Sequence, residues 1–143
     1  MSKIYLASSW RNQEQPGLVR TLRDHGHEVY DFRNPPNGSG FAWKELDPNW
    51  LNWSAYEYRD ALNLPRAEEG FLSDFNAMKW ADTCVLLLPC GRSAHLEAGW
   101  MAGAGKRTIV LTKNGEEPEL MAKMLDYICI DVQELLEVLK LEG

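Results

Sequence analysis

Glu97, Asp74 and Tyr5 are the residues of this chain whose types and places suit chemistry. Glu97 follows an apolar run, Thr83 to Leu88, that ends in Pro89 and a polar turn, Cys90-Gly91-Arg92-Ser93. A strand that empties into such a turn and then into a helix N-terminus is where α/β proteins place their ligands. A carboxylate near the first turn of that helix is favoured by the helix dipole and faces whatever sits above the sheet. A capping box explains it poorly: with Ser93 as N-cap, the reciprocal position is Leu96, one residue short of Glu97. Leu96 and Ala98 flank it, and Gly99, Ala102, Gly103 and Gly105 suggest a helix packed tightly against its neighbours. A carboxylate in such a place is costly unless it is paired or used.

Asp74 supplies a second carboxylate, in FLSDFNAMKWAD. It is expected near the start of the helix leading into the Thr83 strand, where Ser73 and Asp74 also suit a plain helix N-terminus. Tyr5 lies between Ile4 and Leu6 in a short apolar strand, so its ring faces away from theirs. Asp82 reads as a turn residue.

Around these residues, Lys3 to Ala7 and Thr83 to Leu88 read as buried strands, Glu28 to Phe32 and Thr108 to Leu111 as two more, and Tyr127 to Ile130 as a weak fifth. Helices are expected over Leu18 to His27 (Pro16 near its start, Gly26 at its stop), Trp50 to Leu64, Ala67 to Trp80, Ala94 to Gly105, Pro118 to Leu125 and Val132 to Leu141. Arg33 to Pro48, with Asn34-Pro35-Pro36-Asn37-Gly38-Ser39-Gly40, is a loop by composition. Strands alternating with helices imply a three-layer α/β fold, flavodoxin-like or Rossmann-like, around a five-stranded parallel sheet. With the order 2-1-3-4-5, the strand order reverses between strands one and three, and the site opens outside their C-terminal ends. Two loops meet there, Ser8-Ser9-Trp10-Arg11-Asn12 and Cys90-Gly91-Arg92-Ser93. Ser8, Ser9, Arg11, Arg92 and Ser93 are residue types that hold phosphate or sugar hydroxyls.

The 143 residues are expected to form a single domain, 1–143, with a Trp-rich insert at about 33–66. Trp43, Trp50 and Trp53 crowd that insert, in keeping with an aromatic lid over a base. The net charge of −6 argues against a grip on a nucleic-acid polymer. No stretch approaches the ~18 apolar residues of a membrane span, and MSKIYLASSW is too short and too polar for a signal peptide. Cys84, Cys90 and Cys129 form an odd set without regular spacing, which suits free thiols in a reducing cytoplasm.

Several signals carry less than they first suggest. His95-Leu96-Glu97 and Pro89-Cys90 resemble pieces of a zinc-deaminase signature, but the order is reversed and Ser93 replaces the second cysteine. No other His and Cys spacing suits zinc, so neither a metal nor a cofactor is expected. Gly99, Gly103 and Gly105 fall within and after the helix, not before it, so they are no dinucleotide fingerprint. Cys90 and Arg92 are too close in sequence to build a thiol-phosphatase loop, and His25 and His27 flank a helix stop.

Tyr5 on the first strand, Asp74 before the third, and a Gly-bearing turn followed by Glu97-Ala98-Gly99 and Gly105-Lys106 together resemble the nucleoside 2-deoxyribosyltransferases. The related (deoxy)nucleoside 5′-phosphate N-glycosidases share the pattern. The similarity runs from Lys3 to about Leu111 and is weakest over 33–66. It implies that Glu97 is the nucleophile at C1′ of the sugar, that Asp74 handles the nucleobase and its proton, and that Tyr5 orients Glu97. It also implies a homodimer or larger homo-oligomer. Arg11 matches the arginine that the phosphate-preferring relatives place on the 5′-phosphate. His95 stands where the family has glycine, and Gly91 stands where transferases have Asp and their phosphate-preferring relatives Ser.

The implied chemistry suits the residues. Breaking an N-glycosidic bond makes an oxocarbenium-like centre that a carboxylate can capture as an ester. The departing base needs a proton from an acid whose affinity for it is raised. The expected activity is cleavage or transfer at the N-glycosidic bond of a (deoxy)nucleoside or its 5′-monophosphate, with Ser8, Ser9, Arg11, Gly91, Arg92, Ser93 and His95 around the substrate. The alternative is a nucleotide-binding or sensing module that keeps the pocket without turnover.

Overall fold

The computed structural model describes residues 1–36 and 38–141; Asn37, within the Pro-rich loop, and residues 142 and 143 lie outside them. Five strands, β1 (Lys3–Ala7), β2 (Glu28–Tyr30), β3 (Thr83–Leu87), β4 (Arg107–Leu111) and β5 (Tyr127–Cys129), pair in parallel in the order β2-β1-β3-β4-β5. The helices are α1 (Gln15–Asp24), α2 (Ala55–Ala61), α3 (Pro65–Trp80), α4 (Arg92–Gly103) and α5 (Val132–Lys140). This is the α/β architecture that the alternating pattern implies.

Period-two alternation divides the core between the two faces of the sheet. Ile4, Leu6, Val85, Leu87, Ile109 and Leu111 pack against α1 and α5 through Leu18, Leu22, Leu135 and Leu139. Tyr5, Ala7, Cys84, Leu86 and Val110 face α3 and α4 through Ala77, Met78, Ala94, Ala98 and Met101. Every residue of β3 is buried, as a central strand covered on both sides must be. Burial of side chains such as Leu22 and Ile109 supplies about 1.5–3 kcal/mol each. Pro16 occupies the first turn of α1, where its missing N–H costs nothing. Gly26 follows with φ +88°, a turn that other residues resist.

Local chemistry overrides the expected pattern at several places. The Trp50 to Leu64 helix is divided: Trp50–Asn52 forms one 3-10 turn, Trp53 is extended, and α2 starts only after Ser54. Ser54 Oγ accepts from Glu57 N, and Glu57 returns to Ser54 N, a reciprocal cap that fixes the new start. Pro118 to Leu125 holds only a 3-10 turn, Leu120–Met124, between extended residues Glu119 and Leu125. β2 ends at Tyr30 rather than Phe32, because Asp31 turns its carboxylate to Gln15 Nε2, Arg33 N and Asn34 Nδ2. Gly99 and Gly103 face open space instead of a close neighbour; the tight packing of α4 comes from Ala94, Ala98 and Met101.

The insert packs on itself and on α3. Trp43 meets Phe41, Trp53 and Tyr58 edge to face. Arg66, in the first turn of α3, donates to the Ser39 and Gly40 carbonyls and pairs with Glu45 at 3.0 Å. Gly70, one turn further on, lies so close to Phe41 that an added methyl would stand 2.9 Å from its Cβ.

Candidate active site

The site is built on the face of the sheet that carries Tyr5. Tyr5 of β1 and Tyr30 of β2 are register partners, so their side chains leave the sheet on the same side. Their rings stack with centroids 5.5 Å apart and planes 11° from parallel. Tyr5 Oη donates to Glu97 Oε2 at 2.7 Å. Tyr30 Oη donates to Asp74 Oδ1 at 2.8 Å and lies 2.9 Å from Ser73 Oγ. Two strands thus present two phenols, and two helices, α3 and α4, bring one carboxylate to each.

Burial sets the proton affinities. It pushes Glu97 up to about 7; the Tyr5 hydrogen bond opposes that rise and the charge of Asp74 adds to it. Burial also raises Asp74, and the Tyr30 hydrogen bond works against the rise. Tyr5 is held well above the usual phenol value by burial and then by the charge of Glu97. Tyr30 is raised chiefly by burial. Both phenols therefore stay protonated and act as donors. Glu97 senses the charge of Asp74, so the titration of the two is linked. As neither is sealed from solvent, a ligand can reach them.

The expected helix positions need correction. α4 has Gly91 as its N-cap and starts at Arg92, so Ser93 is its second residue and not the cap. Glu97 is then the sixth helical residue, in the second turn, beyond the reach of a first-turn dipole. Asp74 sits in the middle of α3, which starts at Pro65 behind an extended Leu64, so it is no helix-start acid. The simple explanations of both acids therefore lapse.

Tyr5, Asp74 and Glu97 come together; the substrate-binding candidates stand around the same end of the sheet in varied roles. Ser8 Oγ donates to the Leu87 carbonyl at 3.0 Å, and Asn12 Nδ2 to that of Pro89 at 3.1 Å, tying the loops after β1 and β3. Ser9 Oγ accepts from Arg11 N. Ser8 thus ties its loop to β3, and Ser9 serves its own loop. The Arg11, Arg92 and Ser93 side chains are exposed, and Arg92 lines a cleft with Pro89, His95, Glu116 and Glu119. Gly91 has room for a side chain, so its role is not steric. His95 points its Nδ1 at the Gly91 carbonyl, 2.8 Å away, and 3.7 Å from Cys90 Sγ. Burial raises the Cys90 thiol to about 11, so it is no thiolate nucleophile.

The sequence reading missed Tyr30, Ser73 and Arg33. Arg33 donates through Nη2 to the carbonyls of Ser9, Trp10 and Asn12 and so shapes the loop after β1. The alternation that orients Tyr5 applies equally to Tyr30 in EVYDF, and it was the available signal.

Solved structures resemble this one, two of them enzymes that act on nucleosides or nucleotides by name. A 2-deoxyribosyltransferase from the psychrotolerant bacterium Bacillus psychrosaccharolyticus matches with a TM-score of 0.60 and 24% identity, over 92% of this chain and 88% of that one. The CMP N-glycosidase BcmB of Clostridium botulinum matches with a TM-score of 0.54 and 19% identity, over 96% and 98%. At these identities the likeness is one of fold. No family model and no curated protein matches the sequence.

Proposed function

We propose that the chain is an enzyme that breaks the N-glycosidic bond of a nucleoside or its 5′-monophosphate, with Glu97 as nucleophile and Asp74 as acid. The observation that carries this reading is the pair of carboxylates, each held by its own phenol, on one face at the C-terminal end of β1 and β3. The two fold neighbours, a deoxyribosyltransferase and a CMP N-glycosidase, support it.

In the first step a Glu97 carboxylate oxygen forms a bond to C1′ as the C1′–N bond breaks. The bond's electron pair goes to the base nitrogen, and the proton of Asp74 goes to the base, so the base leaves neutral. Tyr5 fixes the Glu97 carboxylate and prevents its rotation. In the second step water or a second base attacks C1′, the ester C–O bond breaks, and the proton of the attacking group returns to Asp74. Water gives a free sugar; a base gives a new nucleoside. We assign a 5′ group to Arg11, Arg92 and Ser93, exposed side chains of types that hold phosphate and hydroxyls. His95, which stands in place of a glycine, is engaged with Gly91 rather than with Glu97, so its presence does not block the nucleophile.

The test is incubation of the protein with a panel of nucleosides and monophosphates, with and without an acceptor base, followed by chromatography for free base and by intact-mass spectrometry for a glycosyl adduct. Release of base with an adduct on Glu97 is expected. Binding of nucleotides with no base released over hours would favour a sensing module instead.

A further inference from the structure

We propose that Tyr30, backed by Ser73, is the positioning residue for Asp74: its phenol proton occupies Oδ1 and leaves Oδ2 as the oxygen that delivers a proton to the departing base. This rests on the reading of Asp74 as the acid. The Tyr30 oxygen lies 2.8 Å from Asp74 Oδ1 and 2.9 Å from Ser73 Oγ. A phenol has one proton to give and accepts as well. With that proton on Asp74, the Ser73 hydroxyl donates to the Tyr30 oxygen. The chain Ser73 to Tyr30 to Asp74 then runs in one direction, and each donor polarises the next.

The Tyr30 ring cannot easily swing away from this duty. It stands on β2, is mostly buried, and stacks on Tyr5. The titratable groups facing Asp74 are Tyr5 from β1, Tyr30 from β2 and Glu97 from α4. Among the described residues no Lys, Arg or His forms an ion pair with Asp74. Burial works against the ionised acid, and the Tyr30 hydrogen bond is what favours it. As the proton leaves Oδ2, charge grows on the carboxylate, and the donor on Oδ1 is already in place to stabilise it.

The test is titration of the Asp74 carboxyl carbon by NMR in protein labelled with 13C-carboxyl aspartate, with Asp74→Asn assigning the signal. In Tyr30→Phe, which keeps the ring stack, Asp74 is expected to titrate at least half a unit higher than in the parent. Ser73→Ala is expected to move it the same way by less, and it serves if Tyr30→Phe does not fold. On a substrate that releases base, Tyr30→Phe is expected to lower kcat about tenfold, leave KM within twofold, and raise the acid limb of the pH profile by the same half unit. An Asp74 titration unchanged in both variants overturns the proposal, as does a loss of kcat with an unmoved acid limb. The titration reads the Tyr30 to Asp74 link without turnover, so absence of base release would count against the proposed reaction alone.

Discussion

Tyr5 and Tyr30 sit side by side on adjacent strands, yet their hydroxyls end on different carboxylates, Glu97 and Asp74. The arrangement keeps two acids on one face without bonding them to each other. It gives each a neutral donor in place of a cation, so burial remains free to raise both.

Removal of the proposed nucleophile should stop the proposed reaction. Glu97→Ala and Glu97→Gln are expected to lower base release by at least ~10³-fold, in line with loss of covalent capture. The glycosyl adduct should vanish from the mass spectrum. Near-normal release from either variant would dispose of the mechanism.

The pH profile follows from the pair. In the proposed mechanism the reactive state has Glu97 ionised and Asp74 protonated, which is one proton between two groups. Burial has raised Glu97 to about 7, so the second proton of the pair leaves near that value. Consequently kcat/KM is expected to be highest below pH 7 and to fall above it, with a second fall on the acid side as both carboxylates become protonated. A rate that keeps climbing from pH 6 to 9 would show that no such pair governs it.

Much of this site is legible in the chain. Ile4-Tyr5-Leu6 suffices to send Tyr5 to the face opposite the α1 core, and the strand, turn and helix after Thr83 place Glu97 at the switch point. The partner of Asp74 is a different matter. Tyr30 becomes its donor through the register Tyr5 to Tyr30 and the lie of α3 across the sheet, and no local pattern encodes either. Ser73-Asp74 has helix-start chemistry, yet both the expected Ala67 to Trp80 span and the observed α3 from Pro65 put Asp74 well inside the helix. In the insert, the Ser54 and Glu57 cap outweighs the helical pattern that spans it.

Stability should depend on pH through Glu97. A carboxyl with a raised proton affinity in the folded state favours folding below its ordinary value and loses that advantage as pH rises toward 7. Glu97→Gln cannot ionise, so it is expected to melt several degrees above the parent at pH 8.5, corresponding to ~2–3 kcal/mol. The gap should close as pH falls toward 4.5. Equal melting temperatures across that range would mean that Glu97 is not strained by its burial.

A homo-oligomer is expected in solution. Phe71 and Phe75 of α3 stack, Trp100 of α4 meets Phe75 edge to face, and Phe71, Leu96, Met121 and Met124 are all more than half exposed. Met121 and Met124 also line a cavity with Ala98 and Gly99 of α4, and exposed apolar surface of this extent is what a contact between copies would cover. Light scattering at tens of micromolar should give a multiple of the 16.3 kDa chain mass, and Leu96→Asp should shift it toward the single chain. A parent protein that stays monomeric would refute the expectation.

Gly70 lies one helical turn before Asp74, with the Phe41 side chain filling the notch that its missing Cβ leaves. The aromatic insert is therefore keyed into the same helix that bears the acid. If α3 slides or tilts, the insert must travel with it, and Asp74 with both. A single methyl at position 70 would push Phe41 out of its seat and leave Arg66 to hold the insert to the helix.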